Sequence, residues 1–199
     1  FNRTRLECDP YEYLIVPGFL QAEAIPAIAR DYPRIDGAGS FPLSGLNTGP
    51  AFDALVKELQ GPAMRDAFAA KFGVDLSGRP TTITARGRCQ AKDGQIHTDT
   101  ASKILTVLIY MNDDWEQEGG RLRVLRSGDD LDDYAAEVPP AAGTLLAFRR
   151  SDRSWHGHAP FIGERRVLQL NWVTDIAVVR REERRHKLSA WFKKLSGRA

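Results

Sequence analysis

The 199-residue sequence predicts an α+β fold in three layers: helices first, then a β sandwich or jelly roll, then a C-terminal helix. Three observations carry this. Pro50 to Leu59 and Pro62 to Phe72 place apolar residues at helical spacing, each run opening on a proline suited to a first helical turn. After Gly73 the pattern shifts to short alternating runs separated by glycine and proline turns. From Arg180 to Leu195 helical spacing returns, with Leu188, Trp191, Phe192 and Leu195 opposite Arg184, Arg185, Lys187, Lys193 and Lys194.

In order, Tyr11 to Pro17 reads as an opening strand that ends at the Pro17-Gly18 turn. Ala22 to Ala29 is alanine-rich and reads as a helix that stops near Pro33. Asp36 to Gly49 is rich in glycine, serine and proline and reads as a loop. Strands are predicted near Thr81 to Arg88, Lys103 to Met111, Arg121 to Leu125, Ala135 to Val138, Thr144 to Phe148 and Arg165 to Val173. There is no internal repeat and no linker, so one domain is expected. Its helical layer would span about 1–78, its β core about 79–175 and a basic amphipathic helix about 178–196.

A chain of this length buries about 70% of its unfolded surface, so it needs no disulfide staples. Cys8 and Cys89 match neither a zinc pattern nor a disulfide framework. With no bilayer-length apolar run and no basic-then-apolar leader, a cytoplasmic location is expected. The net charge of +2 hides an asymmetry. From Arg180 to Arg198, eight basic residues face only Glu182 and Glu183, leaving that tail at +6 and the remainder at −4. The mildly acidic main domain argues against a nucleic-acid partner. The tail has two readings: contact with an anionic membrane or partner, or packing of Trp191 and Phe192 on the β core or a second subunit.

The chain has only four histidines, His97, His156, His158 and His186. In His97-Thr98-Asp99 two potential ligands stand two apart, so an extended backbone points both to one face. Trp155-His156-Gly157-His158 supplies candidates for a third ligand from a distant strand. Two histidines and one carboxylate on one face of a metal leave positions open, the arrangement of non-haem Fe(II) oxygenases. Structural zinc favours four protein ligands, usually including cysteine. His-x-Asp alone is also what a surface turn looks like, and the surrounding motifs decide between the two.

Those motifs come in order: Ile109-Tyr110-Met111-Asn112-Asp113-Asp114-Trp115, Gly119-Gly120-Arg121-Leu122-Arg123-Val124, Gly143-Thr144-Leu145-Leu146-Ala147-Phe148, and His156-Gly157-His158-Ala159-Pro160 followed by Arg165. From His97 to about Val173 the chain resembles the prolyl 4-hydroxylase branch of the 2-oxoglutarate and Fe(II) dioxygenases, closest in pattern to the oxygen-sensing prolyl hydroxylases. The resemblance implies a double-stranded β-helix and a metal held by His97, Asp99 and His156. It implies Fe(II), 2-oxoglutarate and O2 as reactants, with ascorbate a candidate reductant. Hydroxylation of a C–H bond would yield succinate and CO2, on a prolyl residue by analogy or on a small molecule or glycan.

By the same resemblance Arg165, nine residues after His156, pairs with the distal carboxylate of 2-oxoglutarate, and Tyr110 donates its hydroxyl there. Strand parity puts Thr106 and Leu108 on the face of Tyr110, and Leu122 is expected to line the pocket from a neighbouring strand. Arg166 competes with Arg165, but Arg165 shares parity with Val167, Gln169 and Asn171. His158 competes with His156 as third ligand. The spacing to Arg165 favours His156, leaving His158 to border the cosubstrate pocket. Where the family commonly has a tyrosine, this chain has Arg88-Cys89-Gln90. A non-catalytic jelly-roll binding module and a cupin-like metal isomerase are the competing readings, and neither needs a dedicated arginine anchor.

Overall fold

A computed structural model describes residues 1–113 and 115–182. The elements run β1 (Tyr13–Val16), α1 (Ile25–Arg30), β2 (Phe41–Pro42), α2 (Pro50–Leu59), α3 (Pro62–Phe72), β3 (Thr81–Cys89), β4 (Lys103–Tyr110), β5 (Leu122–Leu125), β6 (Tyr134–Val138), β7 (Leu145–Arg149), β8 (His156–Gly157) and β9 (Gly163–Val173). Antiparallel strands form a six-stranded sheet, β1-β7-β4-β9-β3-β2, and a three-stranded sheet, β6-β5-β8. Together they make a double-stranded β-helix with helices laid on the outer face of the larger sheet.

The two long helices start where the prolines predict, with Gly49 and Gly61 capping Pro50 and Pro62, and α3 ends on Gly73 at φ 60°. Helix α1 starts at Ile25 rather than Ala22. The cause is Pro26, which lacks an N–H and is tolerated only in a helix's first turn. The first strand begins at Tyr13, not Tyr11. Two short elements were not expected. Phe41–Pro42 pairs with Ala85 and Thr84 inside the segment read as a loop, and His156–Gly157 forms a two-residue strand. The other strand ends agree within two residues.

Strand β4 shows how the sheet partitions the chain. Leu105, Val107 and Ile109 face outward and join Leu168, Leu170 and Trp172 under Phe52, Leu55, Leu59, Phe68 and Phe72 of the helices. Leu108 and Tyr110 face inward and meet Leu122, Val124, Val138, Leu146, Phe148 and Val167. Both faces are covered, which is why this strand reads as an apolar run broken only by Thr106 after its first residue.

Residues 176–182 are helical, with Val178 buried and Ile176 exposed. The rest of the expected C-terminal helix, with Leu188, Trp191, Phe192 and Leu195, lies outside the described residues. No described helix is long and apolar enough to cross a membrane.

Candidate active site

Two main-chain hydrogen bonds set the site. His97 N donates to the His156 carbonyl and His156 N donates to the His97 carbonyl, each at 3.0 Å. The segment after β3 is thereby tied to β8, and Asp99, two residues on, points to the same side. One ligating atom from each of His97, Asp99 and His156 lies within 4.8 Å of the others, close enough for one ion to bridge them. His158 is not part of this cluster, so of the two competing histidines the geometry selects His156.

The imidazoles are held in a ligand-ready form. His97 Nδ1 lies 2.8 Å from the Gln95 carbonyl and His156 Nδ1 lies 2.9 Å from the Ser154 carbonyl. A carbonyl only accepts, so each Nδ1 carries the proton and each Nε2 keeps its lone pair. Burial drives the His156 pKa down to about 4, although Asp99 pulls the other way, so the ring is neutral at ordinary pH. Phe148 packs against the His156 ring at 4.7 Å. Tyr11 Oη donates to the Trp155 carbonyl at 2.9 Å, fixing the residue just before it.

Asp99 is 8% exposed and both its oxygens are engaged. Lys103 Nζ donates to Oδ1 at 2.7 Å and Thr106 Oγ1 to Oδ2 at 2.6 Å. Burial raises its pKa, but the Lys103 charge, His156 and these two bonds outweigh burial and leave it below the usual carboxylate value. Thr106 also lies 3.1 Å from Asn171 Oδ1, but one hydroxyl proton serves one acceptor, and the nearer, charged oxygen takes it. Thr106 thus sits on the expected face, yet its hydroxyl orients the carboxylate. Sequence reasoning missed Lys103. Its signal was a cation four residues after Asp99, across the turn closed by Lys103 N to the Thr100 carbonyl.

Deeper between the sheets lies a second constellation. Arg165 is 4% exposed, and its Nε donates to the Gly120 carbonyl at 2.7 Å. Its guanidinium carbon is 5.3 Å from the centre of the Tyr110 ring, and Tyr110 is fully buried. Arg166, by contrast, faces outward and pairs with Glu164. Gly120 adopts φ 76°, and a Cβ there would come 2.8 Å from Trp115; the bare backbone lets the turn hand its carbonyl to Arg165. Leu108, Leu122 and Val167 line the space beside this pair.

Among all described side chains, two buried polar atoms have no hydrogen-bond partner: Tyr110 Oη and Arg165 Nη2. Both belong to this pair. Burial pushes the Tyr110 hydroxyl above its usual range, with the Arg165 charge and the approach of its guanidinium N–H groups to the phenol oxygen opposing, so it stays a proton donor. A cationic donor and a neutral donor left unpaired side by side suit a carboxylate, whose oxygens would satisfy both. His158 is also buried beside this region. Its N donates to the Gly94 carbonyl at 2.8 Å, and burial, aided by the Arg165 charge, lowers its pKa to about 4. Within Arg88-Cys89-Gln90, Cys89 is 3% exposed. It follows a register shift between β3 and β9 around Arg86 and Arg88 and pairs with Gly163.

Residues 87–174, the stretch that holds the three ligand candidates, Lys103, Thr106, Tyr110 and Arg165, match the sequence profile of the 2OG-Fe(II) oxygenase superfamily. No curated protein sequence matches the chain significantly. Among solved structures, the fold is similar to a Pseudomonas putida prolyl-4-hydroxylase, at TM-score 0.59 and 19% identity over 81% of this chain and 92% of that one. It is also similar to a viral collagen prolyl hydroxylase from Paramecium Bursaria Chlorella virus-1, solved as a 2OG complex, at TM-score 0.56 and 15% identity over 84% and 99%. A third is HygX from Streptomyces hygroscopicus with nickel and 2-oxoglutarate bound, at TM-score 0.55 and 13% identity over 82% of each chain. The paired histidines, the aspartate and the buried arginine all lie within the segment that matches the 2OG-Fe(II) oxygenase superfamily.

Proposed function

We propose that the protein is an Fe(II)- and 2-oxoglutarate-dependent dioxygenase that hydroxylates an unactivated C–H bond. The observation that carries this is the pair of unpartnered donors, Arg165 Nη2 and Tyr110 Oη, buried in the same barrel as the His97, Asp99 and His156 cluster. A metal site alone would suit an isomerase or a binding module, whereas orphaned donors kept beside it call for a carboxylate cosubstrate. His97 Nε2, His156 Nε2 and one Asp99 oxygen would hold the metal.

When bound, Fe(II) lets O2 oxidise 2-oxoglutarate to succinate and CO2, with the second oxygen atom entering a substrate C–H bond. The chain's own residues supply orientation. Arg165, braced by Gly120, and Tyr110 fix the distal carboxylate. Leu108, Leu122 and Val167 exclude water from the carbon chain. Lys103 and Thr106 aim the Asp99 carboxylate. Ascorbate would serve as an external reductant.

The test is direct. Anaerobic Fe(II) and 2-oxoglutarate should give the visible charge-transfer band of a chelate, and admitting air should then give succinate. Absence of the band in folded protein would defeat the reading, as would a His97→Ala variant that forms succinate at the parent rate.

A further inference from the structure

Beyond the cosubstrate end, the site opens into a cavity of about 470 Å³ whose walls include His97 and Asp99. It lies at the opposite end of the barrel from the arginine anchor. On β9, Arg165, Val167, Gln169 and Asn171 share the inner face, with Arg165 at the carboxylate end and Gln169 and Asn171 in the cavity wall. Six residues of strand separate Arg165 from Asn171, about 20 Å. A cosubstrate reaching from Arg165 to the metal leaves this cavity to the molecule being oxidised.

Every residue type in the wall is polar or charged, although the methyl and methylene carbons of those side chains make up about half of its surface. Besides the two metal-ligand candidates it comprises Ser40, Thr84, Thr98, Thr100, Gln169 and Asn171 with charged groups at the rim, and no aliphatic or aromatic side chain contributes among the described residues. Lys103 and Arg181 are balanced by Asp99 and Glu182, so the fixed charges select neither an anion nor a cation. Hydrogen-bonding capacity is left over. The Thr84 and Thr98 hydroxyls bond to no described residue, and Gln169 uses only Nε2, on Asn171 at 3.0 Å. A prolyl ring could lie on those carbons but would leave the hydroxyl and amide groups unmatched. It would offer methylenes to groups that lose water and gain nothing, at about 1–3 kcal/mol for each one left unsatisfied. A neutral molecule with several hydroxyls both donates and accepts, which is what alcohol and amide side chains require.

Resting on the oxygenase reading above, we infer that the substrate is a small, hydroxyl-rich molecule of the sugar or cyclitol type, bound through hydrogen bonds from Thr84, Thr98 and Gln169, and not a prolyl residue of a protein.

The test uses the full chain loaded with Fe(II). Formation of the anaerobic 2-oxoglutarate band is checked first, because its failure strikes the oxygenase reading and not this inference. In air, myo-inositol, methyl glucoside and a collagen-like Pro-Pro-Gly peptide are then compared for stimulated succinate and for product heavier by one oxygen. A hydroxyl-rich probe should stimulate and gain oxygen while the peptide does neither. Thr84→Val and, separately, Gln169→Leu should each weaken the probe's apparent affinity about tenfold. Thr98→Val serves in place of either variant that fails to form the band. Stimulation by the peptide, stimulation indifferent to the variants, or no response to any hydroxyl-rich probe would overturn the assignment.

Discussion

Replacing Arg165 with methionine tests the cosubstrate anchor where its magnitude can be worked from geometry. Arg165 is 4% exposed and Tyr110 is fully buried, so a carboxylate placed against them leaves water behind. Removing one partner of a buried ion pair costs about 3–5 kcal/mol, chiefly because the other charge stays buried and uncompensated. At about 1.4 kcal/mol per decade, 2-oxoglutarate affinity should fall by about two to three orders of magnitude in Arg165→Met. Tyr110→Phe removes a single hydroxyl donor to a charged group, about 1.5 kcal/mol, and should cost about tenfold. Arg165→Lys should not restore the parent value, because an ammonium cannot bond Gly120 and present a fork together. Metal binding should survive all three, since neither residue belongs to the ligand cluster. The assay is an anaerobic titration of 2-oxoglutarate into Fe(II)-loaded protein, following the chelate band. A loss smaller than tenfold in Arg165→Met, or a larger loss in Tyr110→Phe than in Arg165→Met, would refute the assignment of the anchor.

Lys103→Met leaves Asp99 buried without its cation, so the metal-free protein should lose about 3 kcal/mol of stability. A divalent ion would replace that charge, so Ni(II) should raise the melting temperature of the variant more than that of the parent; equal shifts would count against Lys103 as a stand-in for the metal. Stability should also depend on pH through His156 and His158, both lowered from 6.5 to about 4. The unfolded chain protonates these rings below about 6.5 while the folded chain resists until about 4. Their contribution is therefore complete above 6.5 and is lost as pH falls through 4, at up to about 1.4 kcal/mol per pH unit for each ring. Metal-free melts between pH 7 and 4 should show this slope, and His158→Asn should roughly halve it; a flat profile would contradict it. Asp99 acts in a separate window, because its lowered pKa keeps its contribution intact until below 3.8.

What the sequence made legible were features carried by period and order. The spacing of two in His97-Thr98-Asp99 survives because the segment is extended, and Arg165 and Arg166 part because neighbouring side chains on β9 leave opposite faces of the sheet. The prolines of α2 and α3 mark their helix starts through backbone chemistry that no tertiary contact overrides. Features that depend on distant pairing were not legible. His156–Gly157 is too short to show a period and exists only because β5 and the His97 segment flank it. Phe41–Pro42 is a strand only because β3 needs an edge partner. The register shift just before Cys89 involves two strands at once, which one strand's pattern cannot reveal. The polar cavity wall draws on β3, β9, the loop before β2 and the helix at 176–182, so no local motif announces it.

The mutual amide-to-carbonyl bridge between His97 and His156 has a wider consequence. Peptide groups, not imidazoles, fix how far apart the two chain segments run, so the donor atoms are interchangeable fittings on a rigid frame. Exchanging a ring for another donor alters which ion is retained and what it can do, with no demand that the skeleton re-register. A lineage built on this frame can therefore move between chemistries by side-chain replacement alone.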